Sequence, residues 1–142
     1  MVSDDAPDAQ DAATALHHAE AMWASDVASK TLGMELREAA PGRAVLAMTV
    51  RPDMVNGHDI AHGAMIAALA DSAFAVACNS YGRTTVAAGF EIDFLEPVRL
   101  GDQLVAMAVE RWRRGRSGIY DVAVSRDGIV VAEFRGRSRT LR

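Results

Sequence analysis

The chain has 142 residues, of which 50% are hydrophobic and 24% charged, and its formal net charge is −4. This size and composition predict one globular domain with enough apolar side chains for a single core. They argue against general nucleic-acid binding, which needs a basic surface, and no apolar run is long enough to cross a bilayer.

The N-terminal part divides into an acidic leader and a helix. Residues 1–10 are predicted to be a disordered leader without the pattern of a signal peptide, and residues 11–142 a single domain. A helix is predicted from about Asp11 to near Gly33, because apolar side chains recur every three or four residues. Those side chains are Leu16, Ala19, Trp23 and Val27. The two adjacent histidines of this helix are predicted to face solvent, without a role.

The most informative stretch is residues 64–78, which is almost continuously apolar, rich in alanine and free of Pro and Gly. It is too long for an ordinary strand, so we predict a buried helix that begins at Gly63 and stops within residues 79–82. Cys78 at its end is the only cysteine of the chain. A single cysteine excludes an internal disulfide and suits a reducing, cytoplasmic location, and the small thiol is typical of a core position.

Asp71 is the one ionisable residue inside this helix. At about 100° per residue, it shares a strip with small side chains, away from the side that carries the larger ones. Three explanations are open: a surface carboxylate on a solvated edge, a structural hydrogen bond to a neighbouring loop, or a carboxylate held for chemistry. The strip consists of Ala67, Ala68, Asp71, Ala75 and Cys78, and the larger side chains are Met65, Leu69 and Val76.

A polar loop, residues 56–63, leads into the helix. A helix start offers unpaired N–H groups and positive partial charge, which suit a developing oxyanion, and Gly63 has no side chain to block access. Asn56 is followed by glycine, a pattern typical of turns, so it is assigned a turn role, a functional role or both. His58 and His62 are four residues apart, but their loop setting argues against a metal site, and none is predicted.

Strands are predicted on both sides of the central helix. Residues 43–50 precede it, and a meander of four strands follows it. The first of these, residues 84–95, alternates apolar and polar side chains and is predicted to be half-buried. The others cover residues 103–113, 119–125 and 129–141, with a tight hairpin at residues 126–128. A sheet wrapped around one helix leaves the strip with Asp71 uncovered, so a second subunit is predicted to cover it.

The C-terminal third is rich in arginine, with nine of the fifteen cations lying from Arg111 onward. Arginine suits a polyphosphate ligand, although a solvated face or protected strand edge explains the same pattern. Four arginines are candidates for contact with such a ligand. They are Arg113, Arg114, Arg116 and Arg137.

Several stretches in the same order resemble the hotdog-fold acyl-CoA thioesterases, in particular the PaaI type of phenylacetate degradation. The similarity runs from about residue 15 to the C-terminus. It is carried by Asn56-Gly57, His62-Gly63, the stretch Leu69-Ala70-Asp71-Ser72-Ala73-Phe74-Ala75 and the stretch Ile92-Asp93-Phe94-Leu95-Glu96-Pro97.

The resemblance implies an α+β hotdog fold, an antiparallel sheet around one long central helix, with an extra N-terminal helix. It also implies dimers or tetramers with active sites at the interface, and no metal or redox cofactor. Asp71 would be the general base or nucleophile of one subunit, and the Gly63 N–H would polarise the thioester carbonyl in the other. Asn56 would place water or substrate, and His62 would hold the Gly63 loop.

Two positions depart from the family pattern. Ala64 replaces a second glycine, which keeps the N–H group and changes little. Related enzymes often have a Ser or Thr facing the carboxylate, whereas this region here reads Ala87, Ala88, Gly89. Thr84 or Thr85 would supply a hydroxyl only if the strand register allowed it.

The expected function is hydrolysis of acyl-CoA thioesters, with phenylacetyl or ring-hydroxylated phenylacetyl as the acyl group implied by the resemblance. The four candidate arginines would then contact the phosphates of coenzyme A. One alternative is a non-catalytic acyl-CoA-binding or regulatory module, which the missing hydroxyl would permit. A second is an enoyl-CoA hydratase, which the sequence favours less because no His is paired with the acid. Nucleic acid and membrane are not expected as partners.

Overall fold

The computed structural model describes residues 9–142 and forms one antiparallel sheet of six strands around a central helix. Two helices, α1 (Ala9–Ala24) and α2 (Val27–Thr31), precede the sheet, and the third, α3 (Gly63–Cys78), is the central one. This arrangement confirms the α+β hotdog architecture predicted from the sequence. None of the helices in the described range has the length and apolar character needed to span a bilayer.

The strands follow the order β1-β2-β4-β5-β6-β3 across the sheet. Hairpins join β1 to β2 and connect β4, β5 and β6 in succession, whereas β3 pairs with β6 and lies at the far edge. The strands are β1 (Glu35–Ala40), β2 (Arg43–Thr49), β3 (Thr85–Phe94), β4 (Gln103–Arg114), β5 (Ser117–Arg126) and β6 (Ile129–Thr140).

Helix α3 is buried on the face that packs against the sheet. Leu69, Phe74 and Val76 are almost fully buried there, and the Phe74 ring packs against the rings of Tyr120 and Phe134. Burial of such side chains is the main favourable contribution to folding, about 1.5–3 kcal/mol for each. The prediction for residues 64–78 is confirmed, with the helix beginning at Gly63 and capped by Asn79.

The single N-terminal helix predicted to reach Gly33 is wrong, because the chain breaks between α1 and α2. Asp26 caps α2 by accepting a hydrogen bond from the Ser29 N–H (2.9 Å), an arrangement that starts a new helix. Val27 is consequently 74% exposed and does not belong to the apolar face. The predicted leader falls mostly on residues 1–8, which lie outside the described residues.

Strand β1 was not predicted, and the four-strand meander is wrong. Strand β1 contains Glu, Arg and Ala and shows no alternation of apolar and polar side chains. It forms because it pairs with β2 through the turn at Gly42, whose φ is +68°. Strand β3 crosses to the edge because its backbone partner is β6. The prediction that β3 is half-buried is wrong for the single chain, where Phe90 and Phe94 are 43% and 49% exposed. A bulge at Ala88 also interrupts the alternation of its side chains.

The predicted hairpin at residues 126–128 is confirmed. Asp127 and Gly128 have φ values of +51° and +78°, as the tight turn between β5 and β6 requires.

Candidate active site

Asp71 lies on the wall of a cavity of about 540 Å³ between α1, α3 and β3. The side chain is half-buried, and none of the residues that the structure describes forms a hydrogen bond with it. Its burial raises the pKa of the carboxyl group above the ordinary value of 3.8. Of the three explanations for Asp71, the single chain gives no support for a structural hydrogen bond. A half-buried carboxylate without a partner has the properties of a general base.

The cavity follows the strip of small residues on α3. Ala75 and Cys78 line it beside Asp71, while Phe74 closes its inner side against the core. Burial, followed by the charge of Asp71, raises the pKa of the Cys78 thiol to about 12, although the hydrogen bond to a backbone group opposes this shift. The thiol is therefore protonated near neutral pH and is a poor nucleophile.

The other walls come from α1, from the turn after α3 and from β3. His18, Ala21 and Met22 are contributed by α1, although the histidines of this helix were predicted to lie in solvent without a role. His18 is half-buried, and its Nδ1 lies 3.0 Å from the Ser80 carbonyl oxygen, so this prediction was wrong for His18. No local sequence signal points to this contact, because its partner is 62 positions away in the chain.

Strand β3 has small residues in the region where related enzymes often have a hydroxyl group. Ala87 lines the cavity, and the nearby hydroxyl of Thr85 is engaged with the Arg83 carbonyl and the Thr140 hydroxyl. Thr84 also lines the cavity and is exposed. Of the two threonines, Thr84 is the one whose hydroxyl forms no hydrogen bond with the described residues.

The start of α3 forms a second group of candidate residues. His62 occupies the cap position, but its side chain makes no capping hydrogen bond and is exposed. The ring of Phe94 stands beside Gly63, where an added methyl group would lie 2.8 Å from its Cζ atom. Glycine at this position therefore allows an aromatic ring to approach the first N–H groups of the helix, which have no partner in the regular i→i−4 hydrogen-bond pattern.

The loop before α3 is held by hydrogen bonds that its backbone N–H groups donate. Asn56 accepts hydrogen bonds through Oδ1 from the N–H groups of His58 (2.9 Å) and Ile60 (3.2 Å), so its turn role is confirmed. The His62 N–H donates to the Met54 carbonyl, which fixes the position of the loop next to the helix. His58 and His62 are both exposed, and residues 9–142 contain no cluster of three or more side chains able to hold a metal ion.

The two groups of candidates are far apart within one chain. Gly63 and Asp71 are eight residues apart in α3, which corresponds to about 12 Å along the helix axis. An oxyanion donor and a base acting on the same carbonyl must each lie within about 3 Å of a reacting atom. The structure thus does not bring Gly63 and Asp71 of the same chain together on one thioester.

The candidate arginines have different surroundings. Arg113 lies 3.6 Å from the centre of the Tyr81 ring and pairs with Glu110 (3.3 Å), and Arg137 pairs with Glu91 (3.3 Å). Arg114 and Arg116 form no ion pair within the described range. Arg83, which was not a candidate, lines the cavity and is exposed without an ion pair to a described residue.

The family model that matches this chain is the thioesterase superfamily, over residues 58–133. The chain is 42% identical over 128 residues to the acyl-coenzyme A thioesterase PaaI of Escherichia coli, covering 89% of this chain and 91% of that protein. The E. coli PaaI structure, from the phenylacetic acid degradation operon, superposes with a TM-score of 0.91, covering 93% of this chain and 96% of the other.

A variant of the phenylacetic acid degradation protein PaaI from Thermus thermophilus is similar as well. It is 40% identical, with a TM-score of 0.77 over 80% of this chain and 97% of the other. The family model covers the whole of α3, and the similarity to E. coli PaaI extends over most of the chain. The chain therefore belongs to the thioesterase superfamily, and its hotdog fold is that of PaaI.

Proposed function

We propose that this protein is an acyl-CoA thioesterase of the PaaI type, with Asp71 as the carboxylate that drives hydrolysis. The observation that carries the proposal is the half-buried, unpartnered Asp71 at the wall of a cavity large enough for an acyl group. The 42% identity to the E. coli acyl-coenzyme A thioesterase over most of the chain supports the reaction class.

In the general-base route, Asp71 takes a proton from a water molecule whose oxygen attacks the thioester carbonyl carbon. The carbonyl oxygen becomes an oxyanion that accepts a hydrogen bond from the Gly63 N–H at the positive end of α3. The C–S bond then breaks, and the leaving thiolate recovers the proton. In the nucleophilic route, the Asp71 carboxylate attacks the carbonyl carbon, and the C–S bond breaks as the thiolate leaves. Water then hydrolyses the resulting anhydride, which restores the Asp71 carboxylate, releases the acid and supplies the proton that the thiolate takes up.

We further propose that Asp71 of one subunit acts with Gly63 of another. The 12 Å separation within a chain supports this, since each group needs a partner from outside its own subunit. Strand β3 offers a free backbone edge with exposed apolar side chains, which is unusual in an isolated subunit. These side chains are Val86, Phe90 and Phe94, and the exposed Leu95 follows directly after the strand. We expect a homodimer or homotetramer, which a light-scattering mass measurement tests directly.

Asn56 and His62 are proposed to support the Gly63 end of this site. The Nδ2 group of Asn56 has no acceptor among the described residues, so it remains free to donate to water or substrate. His62 is proposed to hold the Gly63 loop through contacts made in the assembly, because its side chain makes none at the helix cap of the single chain.

The coenzyme A moiety is proposed to bind near cationic side chains. Arg114 and Arg116 lack ion pairs with described residues and suit its phosphates better than Arg113 and Arg137, which are already paired. Water, a carboxylate and an N–H donor suffice for the reaction, so we propose that no metal or redox cofactor takes part. Phenylacetyl-CoA and its ring-hydroxylated forms are the proposed substrates, and the cytoplasm is the proposed location.

The test is release of free thiol from phenylacetyl-CoA by the parent protein and by Asp71→Asn. The variant is nearly isosteric and should lose roughly 10²–10⁴-fold in kcat, as expected for removal of a general base. Asp127→Asn is a matched control, because it removes the same charge at an exposed turn where Asn is well tolerated.

Near-normal turnover by Asp71→Asn would refute the role of this carboxylate. Binding of acyl-CoA by the parent without any thiol release would instead favour a binding module. Loss of enoyl-CoA absorbance without thiol release would favour hydration.

A further inference from the structure

His18 is a cavity residue whose orientation is determined by contacts with distant parts of the chain. It lines the cavity together with Ala21 and Met22, and the spacing of three and four residues places all three on one face of α1. His18 is half-buried, whereas the adjacent His17 is exposed. The imidazole therefore belongs to the cavity wall.

One ring nitrogen of His18 is committed to the backbone. A carbonyl oxygen only accepts hydrogen bonds, so the contact between Nδ1 and the Ser80 oxygen places the proton of the neutral ring on Nδ1. Ser80 is itself fixed, since its buried hydroxyl donates to the Ala77 carbonyl and accepts from the Gly42 N–H. The neutral ring then has Nε2 as a hydrogen-bond acceptor.

The ring is held from a second side by Gly82. A methyl group added at Gly82 would lie 2.6 Å from Cε1 and 2.7 Å from Nε2 of His18, so only a glycine fits against this imidazole. Gly82 has a φ of +82°, which also favours glycine. The side chain thus has little freedom to turn away from the cavity.

Among the other polar side chains at this end of the cavity, Arg83 and Thr84 are exposed, whereas Asn79 is already satisfied. The amide of Asn79 donates to the Ala75 and Thr85 carbonyls and accepts from the Thr85 N–H. Nε2 of His18, in contrast, has no hydrogen-bond partner within residues 9–142. His18 and Asp71 both line the cavity, and each therefore has an acceptor with unused capacity.

The two acceptors lie at different depths along α3. His18 is tied to the turn that follows Asn79, and Asn79 is eight residues beyond Asp71, about 12 Å along the helix. A group whose reacting carbonyl is near Asp71 would reach His18 only with its far end. A two-carbon acyl group is too short for this, whereas an aromatic ring on a short side chain is long enough.

We propose that His18 is a specificity-determining residue, whose Nε2 accepts a hydrogen bond from a hydroxyl group at the far end of the acyl group. This inference rests on the proposed thioesterase function. A site built to bind a hydroxyl group discriminates against an analogue that lacks it, because the acceptor is then left without a partner. The cavity would therefore select ring-hydroxylated acyl groups over the unsubstituted one.

The experiment compares kcat/KM for phenylacetyl-CoA with kcat/KM for its meta- and para-hydroxylated forms. His18→Asn keeps an N–H donor for the Ser80 carbonyl but has no atom at the Nε2 position. His18→Gln places an amide oxygen near that position and restores an acceptor. His17→Asn is the matched control, because it makes the same change on the neighbouring exposed histidine.

We expect the parent and His17→Asn to prefer at least one hydroxylated substrate, and His18→Asn to lose about tenfold of that preference. His18→Gln should recover part of it. The preference is a ratio within each variant, so partial misfolding does not affect it. An unchanged ratio in His18→Asn, or a parent without preference, would overturn the role of His18. Absence of thiol release from all three thioesters would refute the proposed function itself.

Discussion

Gly136 in β6 and the Phe74 ring of α3 are in such close contact that one methyl group tests the packing behind the cavity. A methyl group added at Gly136 would lie 2.8 Å from Cε1 and 2.9 Å from both Cδ1 and Cζ of Phe74. Ordinary carbon contacts are about 3.5–4.0 Å. The ring must therefore move by roughly 0.7 Å or more in Gly136→Ala.

The direction of that movement is restricted by the core. Phe74 is almost fully buried, and its ring is packed against Tyr120 and Phe134, with centroid distances of 5.5 and 5.8 Å. The open space next to it is the cavity that Phe74 lines. We expect the ring to move into this cavity and to reduce the room for the acyl group.

Two opposing contributions decide the effect of Gly136→Ala on stability. Overpacking a core typically costs about 1–3 kcal/mol, whereas replacing glycine at a compatible position gains about 0.4–1 kcal/mol through the unfolded chain. The clash involves three ring atoms of a confined side chain, so we expect a net loss of about 1–2 kcal/mol in the free energy of unfolding. Urea denaturation at one fixed protein concentration measures it.

Phe74→Leu, which removes the ring, provides the decisive comparison. In the double variant, Gly136→Ala should cost less than in the parent, giving a coupling of about 0.5–3 kcal/mol. Gly57→Ala is the control, since no atom lies within 4 Å of a methyl group added there. Equal costs of Gly136→Ala with and without the Phe74 ring would refute this account of the packing.

Two further predictions concern ionisation. Burial raises the pKa of Asp71, so kcat/KM for thioester hydrolysis should fall on the acid side at a pH above the ordinary aspartate value of about 3.9; an acid limb at or below that value would contradict the assignment. Both tyrosines of the chain donate to Glu110 Oε1, Tyr81 at 3.0 Å and Tyr120 at 2.9 Å. Burial, and then the charge of Glu110, raises the pKa of Tyr81 to about 12, although Arg113 partly offsets this shift. The same two causes raise the pKa of Tyr120 further. Tyrosinate absorbance should therefore be absent at pH 10.5 in the folded protein. Because both folded pKa values exceed the unfolded value, stability should decrease as the pH rises above about 10; normal tyrosine titration in the native state would be the contrary result.

The central helix and its loop were predictable because their signals are local. The apolar run that contains Asp71 fixes a helix by length and composition, and Gly63 and Asn79 mark its ends. Of the predicted strip of small residues, Ala67, Ala68, Asp71 and Ala75 are only partly buried, whereas Cys78 is buried. Each of these features depends on side chains within a few turns of one helix.

Features that depend on distant partners were missed. Strand β1 has no periodic pattern of its own and forms because β2 supplies hydrogen-bond partners. The position of β3 follows from its pairing with β6, which begins 35 residues after β3 ends (129 − 94 = 35). His18 is oriented by Ser80 and Gly82, which lie far away in sequence. Periodicity carries no information about such pairings.

The two faces of α3 explain why activity and self-association are expected together. One face carries Leu69 and Phe74 into the core and fixes the helix rigidly. The other keeps Asp71 among small side chains, where partial burial raises its pKa and makes it a stronger base. That burial disfavours the charged carboxylate in the folded state, so Asp71→Asn should fold at least as well as the parent while losing activity. A second subunit over the same strip would complete the site with its own Gly63 and would remove further water from Asp71. In the proposed assembly, the subunit that supplies the oxyanion donor would therefore also strengthen the base.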